Sequence, residues 1–280
     1  MIEPIKHIEA IKIVREINTQ GSSPLQIICS NGCVYYAKST YASIPRVELI
    51  NEVLCNYFLK TWNLNAPEMA LVKIDKVVVE SYLSEKGILS NRYGEKSFEH
   101  EFIGFKELSP ATELDRYVKK LSNKAEWHQL LNPLDLIKIG VFDYWVCNKD
   151  RKPNNPNILL KSTYSKISIH PIDHTAAFGF QTNYKTLNES LLFLESSFSI
   201  LNVPLIKSIT KFATDSELSE LKNEILSDIK RCVENMDDIF DQVPSEWGFS
   251  KKAKSKLKQI LSDIDRNKSI SESYFPYIKQ

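Results

Sequence analysis

Hydrophobic positions divide the chain into two stretches of different periodicity. From Ile8 to Leu83 they come mainly in short runs of strand formers, broken by one helical period. Residues 8–17 are apolar with mixed period and predict a strand, or a short helix feeding one. Residues 25–30 and 34–38 are rich in strand formers. Asn31-Gly32 between them is the strongest short hairpin signal. Ahead of it, Thr19-Gln20-Gly21-Ser22-Ser23-Pro24 is a turn cluster. Pro45 stands where the first turn of a helix begins. Val47, Ile50, Leu54, Tyr57, Phe58 and Leu59 then carry a helical period across 46–62. Residues 69–74 and 76–82 read as two further strands around Asp75, the second with a run of valines. Strands, helix and strands together predict a small α+β lobe over residues 1–83.

The remaining stretch, 84–280, reads differently. Residues 84–105 are mixed and polar, with Gly87, Gly94 and Gly104, and predict an irregular linker. From about Glu107 the pattern turns helical. Residues 132–148 predict a buried helix through Leu134, Leu136, Ile137, Ile139, Val141, Phe142, Trp145 and Val146. Residues 158–160 and 167–172 predict short strands flanking Thr163-Tyr164-Ser165. Helical periods follow over 187–198, 200–212, 215–236 and 250–267. No internal repeat is visible.

Composition narrows the class. At 280 residues with 42% hydrophobic content, the chain can bury a large core or two smaller ones. Lys+Arg 36 against Asp+Glu 35 leaves a net charge of +1, which gives no general reason to expect nucleic-acid or membrane binding. Five cysteines, odd in number and without a CxxC, argue against a metal cluster or a disulfide framework. They fit a reducing cytoplasm. The N-terminus lacks the apolar core and cleavage site of a secretion signal. No apolar run approaches the roughly 18 residues that span a bilayer.

The chemistry concentrates in 141–160 and 170–180. Asp150 closes the buried helix and is followed by Arg151, Asn155, Asn157 and an apolar run. A carboxylate there can take or steer the proton of an attacking hydroxyl. Asn155 lies five residues on and Asn157 seven, directly before Ile158. Either can offer an amide oxygen to magnesium. The bland alternative is an Asx-rich turn. Asp173 ends the next predicted strand, a usual place for a metal-binding aspartate, or for a simple strand cap. His174 beside it reads as structural, since no second histidine stands at ligand spacing. Lys38 ends the hairpin and Glu52 sits on the following helix, with Glu48 as its rival. A strand lysine with a helix glutamate positions phosphates in kinases, although solvated Lys–Glu pairs are common. Gly21, Ser22 and Ser23 could cover ATP phosphates with backbone N–H groups, or form a plain turn. Glu80 and Tyr82 leave the last predicted strand of the small lobe, where a hinge would face adenine. The order of these parts is the order phosphoryl transfer uses.

These residues resemble the HipA-like kinases, in the compact form without the extra N-terminal subdomain. The resemblance begins at Asn31-Gly32 and Tyr36-Ala37-Lys38. It continues through Leu49-Ile50-Asn51-Glu52 and Trp62-Asn63-Leu64-Asn65-Ala66-Pro67-Glu68, and is strongest at Asn148-Lys149-Asp150-Arg151, Asn155-Pro156-Asn157-Ile158-Leu159 and Ile172-Asp173-His174. Val243-Pro244-Ser245-Glu246-Trp247 adds a proline–tryptophan element. It implies an α+β, two-lobed protein-kinase-like fold with a β-rich N-lobe and a mostly helical C-lobe. It implies ATP and Mg²⁺ as cofactors, Lys38 on the phosphates, Asp150 as the catalytic aspartate, and Asp173 with Asn155 or Asn157 on the metal. Known members phosphorylate serine or threonine on proteins, in some cases an aminoacyl-tRNA synthetase within toxin–antitoxin systems. A translation-related protein substrate, a separate antitoxin chain and autophosphorylation at Ser22 or Ser23 are therefore expectations. Thr175 replaces the glycine that usually follows the metal aspartate, and Asn63 replaces the glycine of the family's Gly-Leu pair.

Three alternatives remain at this level. A small-molecule or lipid kinase of the same fold shares the Asp-Arg…Asn pattern. A nucleotide-binding pseudokinase would act as a sensor or scaffold, although Lys38, Asp150, an asparagine and Asp173 are all present. Lysines 251, 252, 254, 256 and 258 could touch nucleic-acid phosphates, or form a solvated helix face.

Overall fold

The structure is a computed structural model. It describes residues 2–18, 23–42, 45–90, 92–117, 123–164, 166–180, 184, 187 and 199–278. The chain folds as two compact units. The first comprises Met1–Leu49 and Pro67–Leu108, the second Ile50–Ala66 and Ser109–Gln280.

The first unit is built on β1 (Lys6–Glu16), β2 (Leu25–Cys29), β3 (Val34–Lys38), β4 (Met69–Lys73) and β5 (Phe102–Lys106). They close into a barrel in the order β1-β2-β3-β5-β4, with β1 and β4 parallel and the other pairs antiparallel. Period-2 alternation puts Leu25, Ile27 and Cys29 of β2 inside, with Tyr35 and Ala37 of β3 opposite them. β5 runs through the segment expected to be an irregular linker. Gly104 obscures it in sequence, yet the glycine is required. A Cβ there would stand 2.7 Å from the Val72 side chain across the ladder.

Helix α1 (Arg46–Thr61) starts where Pro45 predicts. Helix α2 (Lys76–Lys86) replaces the strand expected over 76–82. Asp75 occupies its N-cap position and Gly87, at φ 83°, ends it. Val78, Val79 and Tyr82 lie at helical spacing and pack on the barrel core. The boundary of the first unit therefore falls at Leu108 rather than at 83, because β5 completes the barrel.

The second unit begins with the body of α1 and continues through β6 (Thr112–Glu113) and the short helices α3 (Leu114–Tyr117) and α4 (Lys124–Gln129). Helix α5 (Asp135–Val146) follows, with ten of its residues from Leu136 to Val146 buried. Its Gly140 is a close approach, since a Cβ would meet Leu201 at 2.5 Å. Trp62, Phe142, Trp145 and Phe58 form an aromatic core between α1 and α5. Strands β7 (Ile158–Thr163) and β8 (Lys166–Pro171) pair antiparallel, with β6 at the edge.

The remaining elements are helical: α6 (Ala177–Phe180), a 3-10 turn at Ile200–Asn202, α7 (Pro204–Phe212), α8 (Asp215–Glu234), α9 (Met236–Phe240), α10 (Lys251–Leu261), α11 (Ile264–Ser271) and α12 (Phe275–Ile278). The single helix expected over 250–267 is two. Asp263 accepts the Arg266 N–H at 2.7 Å and starts a new helix there. The helix expected over 187–198 lies outside the described residues apart from Leu187. Among the described residues no helix is long and apolar enough to cross a membrane.

Candidate active site

Helix α5 ends at Cys147, whose left-handed backbone (φ 49°) breaks the helix. Asn148 then folds back on the helix. Its side-chain Nδ2 donates to the Asp143 carboxylate at 3.2 Å, and its side-chain Oδ1 accepts the Asp150 N–H at 3.3 Å. Beyond Asp150, Lys152 and Asn155 exchange backbone hydrogen bonds of 3.0 Å around Pro153-Asn154. The loop therefore returns on itself. Both asparagine amides then converge on the aspartate: Asn155 Nδ2 and Asn157 Nδ2 each donate to Asp150 Oδ2 at 3.2 Å. An amide that donates through Nδ2 keeps its Oδ1 as acceptor.

The sheet decides which asparagine neighbours Asp173. β7 and β8 pair with Ile158 opposite Pro171, and the Ile172 N–H donates to the Asn157 carbonyl at 2.9 Å. Asn157 and Asp173 thus flank the ends of two adjacent strands. Both take left-handed backbone, at φ 47° and 55°. Asn155, by contrast, belongs to the exposed loop tip. The Asp173 carboxylate accepts the Thr175 hydroxyl at 2.8 Å. The threonine at the usual glycine position thus holds the aspartate in place.

Arg151, which the sequence marked only as the basic residue after Asp150, organises all of this. Its side chain is wholly buried. Nε lies 2.9 Å from Asp143 Oδ2. The terminal nitrogens donate to the carbonyls of Pro156, Asn157 and Ile172, and one contacts the His174 ring at 2.7 Å. One guanidinium fork therefore binds both loops of the site. Burial pushes the Asp143 carboxyl up to about 6, while Arg151 and then Asn148 pull against that rise. At neutral pH the pair is ionic. His174 is buried against Phe142, in keeping with a structural role.

Two residues of α1 secure the same loop. The buried Glu52 accepts the His174 N–H at 3.2 Å. Asn51 donates to the carbonyls of Thr175 and Ala177 at 2.7 and 3.0 Å and accepts the Tyr184 hydroxyl. Sequence reasoning assigned no role to Asn51. Its place one residue before Glu52 on a buried helix was the available signal. Glu48, the rival glutamate, is half-buried one turn earlier, in the first unit.

In the first unit, Lys38 is buried at the end of β3, paired with Ile103. Ser23 is buried at φ 41°, and its carbonyl accepts the Tyr93 hydroxyl at 2.6 Å. Gly21 and Ser22 lie outside the described residues. Glu80 and Tyr82 do not occupy a strand exit. Both are on α2, Glu80 exposed and Tyr82 in the barrel core. The strand that actually leaves this unit is β5, at Leu108.

The lysine-rich segment forms α10. Lys254 and Lys258 pair with Asp241 and Asp237 at 2.7 and 2.5 Å, so much of its charge is answered within the chain. Among the described residues no cluster of three or more His, Cys, Asp or Glu could cage a metal.

A barrel with a buried strand-end lysine, together with a helical unit carrying this aspartate–asparagine–aspartate loop pair, defines a protein-kinase-like phosphotransferase. The chain belongs to the HipA-like kinase family, whose model matches residues 10–273. Among solved structures it is similar to the Helicobacter pylori proinflammatory kinase CtkA, with 15% identity, a TM-score of 0.51 and coverage of 95% of this chain and 94% of that one. Weaker likenesses are the Rio2 kinase of Chaetomium thermophilum in an ADP/Mg²⁺-phosphoaspartate complex (14% identity, TM-score 0.41, coverage 93% and 72%). The Golgi casein kinase with Mn/ADP bound is similar at 12% identity, TM-score 0.38 and coverage of 97% and 74%. No curated protein matches the chain.

Proposed function

We propose that this kinase transfers the γ-phosphoryl group of ATP to a serine or threonine hydroxyl of a protein. The observation that carries the reading is the convergence of Asn155 and Asn157 on Asp150 Oδ2, with Asp173 at the neighbouring strand end. The two amides fix the carboxylate and leave Oδ1 to meet the acceptor hydroxyl and take its proton. Asp173 and the Asn157 amide oxygen are hard oxygen donors, the set that suits Mg²⁺ with nucleotide phosphates completing its shell. When bound, Mg²⁺-ATP supplies the phosphoryl group and offsets the charge that develops on it. Lys38 offers an ammonium to phosphate oxygens. Glu52, Asn51 and Arg151 act through the loop that carries Asp173. We assign the metal to Asn157 rather than Asn155 on its register beside Asp173.

By resemblance to known HipA-like kinases we extend the reading to a protein acceptor connected with translation and to a role as a toxin answered by a separate antitoxin chain. Autophosphorylation at Ser23 requires its turn to open, since that residue is buried.

Incubation with labelled ATP and Mg²⁺ tests the reading. Labelling of an added protein extract is expected for the native chain and is lost in Asp150→Ala and Asp173→Ala. Labelling that persists in both variants would break the site. Mass spectrometry of the labelled species distinguishes serine or threonine on a protein from a small-molecule or lipid acceptor.

A further inference from the structure

The β2–β3 hairpin carries a second chemistry, confined to the first unit and independent of the kinase reading. Its turn, Ser30-Asn31-Gly32, is flanked by Cys29 and Cys33. The ladder pairs Ile28 with Val34, so Cys29 faces Cys33 across the strands. The Cys29 N–H donates to the Cys33 carbonyl at 3.0 Å. Directly opposite residues of an antiparallel pair share a face, and a hydrogen-bonded pair such as this has Cα atoms about 5.5 Å apart. A disulfide spans about 4.4–6.8 Å. Both side chains belong to one apolar cluster, Cys29 as a buried member and Cys33 packed on its edge. Both are free thiols.

Two features single out Cys33. The other four cysteines are buried, while Cys33 is partly open to solvent. Lys106, whose ammonium lies 3.1 Å from the Glu68 carboxylate, pairs with Tyr35 across β3 and β5 and so stands diagonal to Cys33. A cation at that position attracts the negative sulfur that attacks a peroxide. Cys29 is the buried partner. Burial, with Cys33 adding to the effect, pushes its thiol up to about 11, so it remains protonated.

We propose that Cys33 and Cys29 form a peroxide-sensitive dithiol that closes reversibly into a cross-strand disulfide. The Cys33 thiolate attacks hydrogen peroxide; an S–O bond forms, the O–O bond breaks and hydroxide leaves. The Cys29 sulfur then attacks the Cys33 sulfur. The S–S bond forms, the S–O bond breaks, and the Cys29 proton departs with the hydroxyl as water. Two thiols are oxidised and one peroxide is reduced to water. Such bridges serve as transient sensors where thiols are otherwise kept reduced. The strand that begins at Val34 beside the bridge ends at Lys38, so the disulfide restrains the strand that carries that lysine.

Peptide mapping of the full chain tests the proposal. Trypsin cuts after Arg15 and Lys38, so one peptide, 16–38, holds both cysteines. After hydrogen peroxide and alkylation, that peptide is expected to be lighter by two hydrogen atoms, to resist alkylation, and to recover two alkylation sites with dithiothreitol. In Cys29→Ser, Cys33 is expected to stop at a dimedone-trapped sulfenic acid. In Lys106→Met, alkylation of Cys33 by iodoacetamide is expected to slow several-fold. An unchanged peptide, or Cys33 carrying added oxygen while Cys29 still alkylates, would overturn the pair. An unchanged alkylation rate in Lys106→Met would overturn the part given to that lysine.

Discussion

Arg151 and Lys138 are both buried cations of the second unit, yet they bind different kinds of partner. Lys138 reaches from α5 to Asp228 and Glu224 on α8, at 2.6 and 2.5 Å. Those helices already satisfy their own backbone groups, so the ions only cross-link finished elements. Arg151 pairs with Asp143 and gives its other donors to backbone carbonyls of two loops. Loops 150–157 and 172–175 have little ladder of their own. The guanidinium supplies hydrogen bonds that secondary structure supplies elsewhere. A point charge on a flexible stem suits the first task, and a planar fork suits the second.

Removing each cation separates the two roles. The largest effect is expected from Arg151→Ala, which leaves the Asp143 carboxylate and three carbonyls without their cation. It should cost about 3–5 kcal/mol of stability and abolish labelled phosphoryl transfer. Arg151→Lys keeps the charge without the fork, and should regain part of the stability but little activity. Thermal melts beside turnover per folded molecule check both; a fully active lysine variant would end the distinction.

Lys138→Met should destabilise by up to about 3 kcal/mol by leaving the buried Asp228 carboxylate with Arg231 as its remaining cation, with turnover per folded molecule unchanged. The double variant Lys138→Met with Asp228→Asn should recover most of that loss. A fall in turnover without unfolding would show that the helix pair also shapes the site.

The smallest effect concerns pH. Burial lowers His170, on β8, from 6.5 to about 4, with Lys161 contributing. The folded chain therefore holds the neutral ring while the unfolded chain takes a proton, so stability falls as pH drops from 6.5 to about 4. Asp143 acts in the opposite sense, since a raised carboxyl contributes stability that is lost as pH rises through about 6. The difference between native and His170→Asn melting curves isolates the histidine. That difference should grow with acid. If it is flat across the window, the His170 assignment fails.

Much of this was legible in sequence because local signals and tertiary context agreed. Asn31-Gly32 announced the hairpin, Pro45 the helix, and the buried run from Leu136 to Val146 the helix under the site. Two failures share a cause. Val77, Val78 and Val79 carry strand propensity, yet Asp75 and Gly87 bracket a helix whose inward side is Val78, Val79 and Tyr82. Phe102–Lys106 contains a glycine that weakens any strand reading. Its reason, the Val72 side chain on the neighbouring strand, lies thirty-two residues away in sequence. In both places a packing partner outweighed propensity. The candidate site was legible as an order of residue types. Arg151 and Asn51 were not, because a buried donor is recognised by the carbonyls it meets, and those come from other segments. The choice between Asn155 and Asn157 was equally out of reach, since it depends on the register of β7 with β8.

The left-handed backbone at Asn157 and Asp173 has an evolutionary reading. Glycine would relax both positions, and asparagine and aspartate bear the strain at modest cost. Variants selected for thermostability alone would therefore drift towards glycine at 157 and 173, and variants selected for turnover would keep the side chains. The divergence of two such libraries at these positions would measure how much folding stability the chain gives up to keep the proposed donors.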